Sequence, residues 1–82
     1  MYTIITRNNC KYCDKAKAIM DLGKINYVVF NVESPPNKWI LSLMKEANIK
    51  TVPQIFANGG NHVGGFRELE NLMGFINTNK EY

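Results

Sequence analysis

The chain has 82 residues, of which 45% are hydrophobic and 21% charged, so it has room for one small globular domain spanning 1–82 and not the composition of a disordered segment. Its longest apolar run falls far short of the ~20 residues that a membrane-spanning helix needs. The N-terminus lacks the charged-then-apolar layout of a secretory signal, so a cytoplasmic protein without membrane contact is expected. The net charge of +3 is a mild excess, and no aromatic stacking platform or nucleic-acid motif accompanies it, which sets nucleic acid aside as a partner.

Taken in order, Tyr2–Thr6 is a β-branched and aromatic run that fits a buried strand. Asp14–Met20 is rich in helix formers, with Ala16, Ile19 and Met20 on one face, and Gly23 is the expected left-handed stop of that helix. Ile25–Val32 reads as a second strand, apolar on both faces in its middle and so expected to be covered on both sides. Ser34-Pro35-Pro36 has the composition of a helix start, and Ile40, Leu43, Met44 and Ala47 form the stripe that should face the core before Asn48 ends the helix. Ile49–Phe56 is the third strand, entered through Val52-Pro53, since Pro at a strand's first position keeps the ladder intact. Asn58-Gly59-Gly60-Asn61 signals a hairpin turn into a short fourth strand at His62 and Val63. Leu69, Leu72, Met73 and Ile76 then mark a last helix running to about Asn77. The order β-α-β-α-β-β-α implies a parallel first pair with a right-handed crossover and an antiparallel hairpin at the far side, hence a mixed four-stranded sheet among three helices.

The only two cysteines, Cys10 and Cys13, stand where the first strand hands over to the first helix. Two residues apart at a helix start, their side chains fall on one face of the first turn, close enough for a short disulfide. Three roles are open to such a pair: a structural disulfide, metal ligation or redox chemistry. A disulfide closing so short a loop constrains the unfolded chain little. A tetrahedral metal site needs about four ligands, and beyond these thiols the chain offers only His62, which reads as a surface residue. Redox chemistry leads. The unpaired N–H groups and the dipole of a helix N-terminus stabilise an anion, and a thiolate is the nucleophilic form of cysteine. Cys10, nearer that end and close to Arg7 and Lys11, is the expected nucleophile; Cys13, further in, is the resolving thiol.

Three motifs together, Cys10-Lys11-Tyr12-Cys13, Thr51-Val52-Pro53 and Gly64-Gly65, make the chain resemble the thioredoxin fold and, within it, the glutaredoxins, most of all the short dithiol glutaredoxins of bacteriophages and bacteria. The resemblance runs from Tyr2 to about Ile76. It implies a glutathione-dependent dithiol-disulfide oxidoreductase, acting as a monomer with no bound cofactor or metal and with glutathione as co-substrate. Disulfide-containing proteins, ribonucleotide reductase among them, would be its clients. It also implies that Pro53 is preceded by a cis bond that turns the Val52 backbone towards the substrate. Arg7, Tyr12, Thr51, Val52, Pro53, Gly65, Phe66 and Arg67 would contact glutathione, Arg7 in the place of the family's usual Lys. The family's Asp after the glycine pair is replaced by Arg67, with Glu68 next, and its usual Pro between the cysteines by Lys11. Lys38 lies near where relatives have a further carboxylate-binding residue. The alternatives are a thioredoxin-like redoxin reduced by a flavoprotein reductase and a non-catalytic module in which two chains bridge an iron–sulfur cluster through Cys10.

Overall fold

The computed structural model of the chain describes residues 1–74. Strand β1 (Tyr2–Thr6) is followed by helix α1 (Lys11–Leu22), strand β2 (Tyr27–Asn31), a 3₁₀ turn (Pro35–Asn37) and helix α2 (Trp39–Glu46). Strand β3 (Gln54–Phe56), a second 3₁₀ turn (Asn58–Gly60), strand β4 (His62–Gly64) and helix α3 (Phe66–Met73) complete the described residues. The sheet order is β2-β1-β3-β4, with β1 and β2 parallel and the pairs β1/β3 and β3/β4 antiparallel. This is the mixed sheet expected from the order of elements.

The period-2 alternation of β1 divides the core. Ile4 points to one face and joins Ala16, Ile19, Met20, Ile55 and Leu69 beneath α1 and α3. Ile5 points to the other and meets Val32, Ile40 and Met44 beneath α2. Two helices therefore cover one face, while the other has only the short α2. That asymmetry explains where burial departs from the sequence pattern. β2 is an edge strand, not a doubly covered one, so Val28 and Val29 remain 38% and 41% exposed. In α2 only Ile40 and Met44 are buried; Leu43 and Ala47 face out, because eight helical residues cannot cover a four-stranded face. Trp39, also exposed, flanks the uncovered part of that sheet. In α3, Leu69 is fully buried and Leu72 exposed; Ile76 and Asn77 lie outside the described residues.

Three local boundaries also move. Gly23 is right-handed (φ −80°) and the left-handed residue is Lys24 (φ 56°). Lys24 N–H donates to Asp21 O and Ile25 N–H to Met20 O, a Schellman close that places the left-handed residue one position after Gly23. Asn48 (φ 59°) closes α2 the same way, as its side chain suggested. At the start of α2, Ser34 makes no side-chain cap; the prolines form a separate 3₁₀ turn and the helix proper begins at Trp39. β3 begins after Pro53 instead of at Ile49.

Candidate active site

Cys10 is the N-cap of α1, its backbone extended at φ −115°, ψ 102°. An extended N-cap followed by helical residues turns its side chain back over the first turn, and Cys13 N–H donates to Cys10 Sγ at 3.1 Å. The two residues are joined in a disulfide across Cα atoms 5.2 Å apart, so the described state is the oxidised one. Burial separates them. Cys13 is 1% exposed and packs inside, whereas Cys10 is half-buried and open to an attacking group. This is the inequality expected of a nucleophile and a resolving thiol.

The loop before Cys10 is clamped to the end of β2. Asn8 donates from its backbone and from Nδ2 to the Glu33 carboxylate, at 3.2 and 3.0 Å, and accepts from Asn31 Nδ2 at 2.8 Å. Asn9, left-handed at φ 54°, then turns the chain into the helix. None of this clamp was read from the sequence; the Asn-Asn pair was its only local sign.

Opposite the disulfide, the Val52-Pro53 bond is cis, as the resemblance implied, and Cys10 Sγ lies 4.0 Å from Val52 O. The loop is braced from behind by Gln54, a buried residue that sequence reading passed over. Its Nε2 donates to Thr51 O at 3.0 Å and to Thr51 Oγ1 at 3.1 Å. Its Oε1 is left to accept from His62 Nε2 at 2.7 Å, which sets the hydrogen on that ring nitrogen. His62 also stacks on Phe56, with ring centroids 4.6 Å apart. It is a surface residue, as expected, but one tied to the proline loop.

The third wall is the turn into α3. Gly64 has φ 126°, open to glycine and strained for other residues. A Cβ on Gly65 would stand 3.4 Å from Pro53 O, ordinary van der Waals contact, so the helix end lies against the proline loop. Glu68 bends back and accepts from Gly65 N–H at 2.8 Å, the carboxylate half of a capping box, since Gly65 has no side chain to return the bond. That hydrogen bond, then one from its own backbone, holds its carboxyl below the usual carboxylate range. Glu68 is thereby committed to the helix cap, and does not stand as a free acid in place of the family's Asp.

The remaining site residues divide between two hollows, one including Val52, whose carbonyl lies near Cys10 Sγ, and the other including Tyr12, which stands between the two cysteines in sequence. Arg7, Thr51 and Val52 line one of about 430 Å³, together with Lys45 and Lys50, which were not singled out from the sequence. Tyr12, Phe66 and Arg67 line the other, of about 590 Å³, with Lys15 and Glu70. The rings of Tyr12 and Phe66 lie 5.5 Å apart, and Lys15 Nζ sits 5.1 Å over the Tyr12 ring, a cation–π arrangement. Lys38 lines neither hollow.

A cysteine pair at a helix N-terminus, facing a cis-proline loop at one end of a mixed four-stranded sheet, defines a thioredoxin-fold redox site. The family model for glutaredoxin matches residues 2–63. The chain belongs to the glutaredoxin family, and its members are thiol-disulfide oxidoreductases. Similar relatives include glutaredoxin 1 of Rickettsia prowazekii, 39% identical over 75 residues that span 88% of this chain and 78% of that one. The glutaredoxin of Enterobacteria phage T4 is 32% identical over 73 residues, covering 76% of this chain and 82% of the phage protein. Among solved structures, glutaredoxin 1 from Francisella tularensis complexed with cacodylate superposes with a TM-score of 0.73 at 29% identity, over 94% of this chain and 95% of that one. The glutaredoxin-like NrdH-redoxin of Escherichia coli superposes with a TM-score of 0.71 at 26% identity, over 94% and 91%.

Proposed function

We propose that this oxidoreductase is a dithiol glutaredoxin that takes its electrons from glutathione and reduces protein disulfides and glutathione mixed disulfides. The observation that carries the reading is the half-buried Cys10 at the α1 N-cap, facing the Val52 carbonyl, with two cation-lined hollows that include Val52 and Tyr12. In the reduced protein the Cys10 thiolate attacks one sulfur of the client disulfide, forming a mixed disulfide and expelling the other client sulfur as a thiolate. Cys13 then attacks Cys10 Sγ, closing the described disulfide and releasing the second client thiolate, so two electrons pass to the client. Two glutathione molecules restore the dithiol and leave as oxidised glutathione.

In this reading Arg7 and the backbone at Val52 hold the glycyl end of glutathione, and Phe66 N–H at the α3 N-terminus holds the γ-glutamyl carboxylate beside Tyr12 and Arg67. The buckwheat glutaredoxin–glutathione complex, whose fold superposes with a TM-score of 0.73, is a precedent for the ligand. Ribonucleotide reductase is the proposed client, by family resemblance. The test is turnover of hydroxyethyl disulfide with glutathione and glutathione reductase, against turnover with thioredoxin reductase. Turnover with glutathione is expected, and its absence overturns the choice of reductant.

One observation favours a second reading. The acid that would pair with the free amine of glutathione is missing, since Arg67 stands in its place and Glu68 is spent on Gly65 N–H. The Escherichia coli redoxin noted above has a thioredoxin-like activity profile. Turnover with thioredoxin reductase alone would select that reading.

A further inference from the structure

We propose that the client presented to Cys10 is an acidic peptide segment, with carboxylates flanking its cystine that enter the two basic hollows. The proposal rests on Cys10 attacking a client disulfide, as above, and adds the class of substrate.

Among the described residues, five of the nine lysines and arginines line these two hollows: Arg7, Lys45 and Lys50 in one, Lys15 and Arg67 in the other. Of the six acids among the described residues, Glu70 alone does so. The chain as a whole is nearly balanced at +3, so the excess is concentrated in these two hollows. Nearby acids are engaged elsewhere: Glu33 with Asn8, Asp14 with Lys17 at 3.6 Å, and Glu68 with Gly65 N–H. Among the described residues the first hollow has no acid in its lining, and its three cations come from three separate segments: the loop after β1, the last turn of α2 and the approach to Pro53. The glycyl end of glutathione brings a single carboxylate to this hollow, which leaves Lys45 and Lys50 without a counter-charge. An extended peptide carrying Asp or Glu on either side of its cysteine supplies them.

The first hollow is also lined by apolar side chains, Val32, Leu41, Met44 and Ile49. A peptide with spaced acids and apolar neighbours matches that lining better than a continuous phosphate backbone, which is read by cations spread along an open face. Attraction between such charges also speeds encounter and weakens with salt.

The experiment uses the full-length protein, pre-reduced and freed of reductant, mixed with synthetic disulfide peptides that differ only in Asp, Ser or Lys at the flanking positions. Reduction of neutral hydroxyethyl disulfide is measured in parallel. The wild type should reduce the Asp peptide on the order of tenfold faster than the Ser peptide, with the Lys peptide slowest, and the ratio should fall towards one at high salt. In Lys45→Glu/Lys50→Glu the Asp-to-Ser ratio should drop several-fold, with Lys45→Gln/Lys50→Gln intermediate. Both lysines are exposed, so these variants fold. A ratio near one in the wild type, with hydroxyethyl disulfide still reduced, overturns the acidic client and leaves the oxidoreductase standing. Failure to reduce hydroxyethyl disulfide as well would remove the reading on which the proposal rests. Binding of duplex DNA at physiological salt in competition with the Asp peptide would assign the hollows to nucleic acid and overturn the proposal.

Discussion

At the scale of single residues, the chemistry depends on how differently two identical side chains are placed. Cys10 caps a helix and is half-open; Cys13, one turn on, is 1% exposed. Cys10 is the one open to an outside disulfide, and on the proposed roles it attacks while Cys13 resolves. Cys10→Ser should therefore abolish every disulfide exchange. Cys13→Ser should keep glutathione mixed-disulfide reduction within a few-fold of wild type and lose at least ~90% of protein-disulfide reduction, because the mixed disulfide formed with a protein then has no internal thiol to resolve it. Parallel assays on a glutathionylated peptide and a protein disulfide check this, and equal losses in both would mean that Cys13 is not the resolving thiol. The cysteines were legible because a helix start is a local signal, whereas the cis bond before Pro53 and the place of the glycine pair in the site were legible through the resemblance of the three motifs together. Gln54, Lys45 and Lys50 were not. Gln54 looked like one more strand residue, and the two lysines gain meaning only when α2 and the Thr51-Val52 loop meet across a hollow.

At the scale of elements, the turn from β4 into α3 decides how closely a ligand can approach the proline loop. A Cβ on Gly64 would meet Glu68 Cγ at 2.8 Å and Cβ at 2.9 Å, at a φ of 126° that other residues rarely adopt. Gly64→Ala should cost about 1–3 kcal/mol in urea denaturation, from backbone strain and displacement of the Glu68 cap. A variant as stable as wild type would mean that the turn relaxes freely. The cap also titrates. Glu68 has a folded-state pKa below its unfolded one, so its contribution is fully present above the unfolded value and is lost as pH falls through the folded value. Wild type should accordingly be more stable than Glu68→Gln at neutral pH, and the gap should close below about pH 4. A gap that persists in acid would mean that the carboxylate charge contributes nothing to the cap. The sheet's edge order explains the other misreadings at this scale. Ile25–Val32 has the composition of a buried strand, yet strand order is fixed by which chains pair, and β2 is left at the edge with only one neighbour.

For the molecule as a whole, the oxidation state of one four-residue loop is coupled to global stability, because a domain this small unfolds cooperatively. The disulfide stabilises by constraining the unfolded chain, and a loop this short gives roughly 2 kcal/mol, independent of pH. Reduction removes that term and adds another. The Cys10 thiolate gains the Cys13 N–H, 3.1 Å from Cys10 Sγ in the oxidised state, and the α1 dipole. Both favour the charged form, so the folded pKa of Cys10 should fall below the unfolded thiol's. A depressed folded pKa contributes stability that is fully present above the unfolded value and is lost as pH falls through the folded one. The reduced protein should therefore lose ground to the oxidised protein as the solution is acidified from about pH 8.5, by about 1.4 kcal/mol per pH unit, and the difference should level off once Cys10 is protonated in the folded state. Urea titrations of both forms across this range measure the difference directly, and subtracting the oxidised curve cancels groups that titrate alike in both, Glu68 among them. A difference that does not vary with pH would mean that the helix N-terminus does not stabilise the thiolate, and the placement of Cys10 at the α1 N-cap would then have no electrostatic consequence for attack.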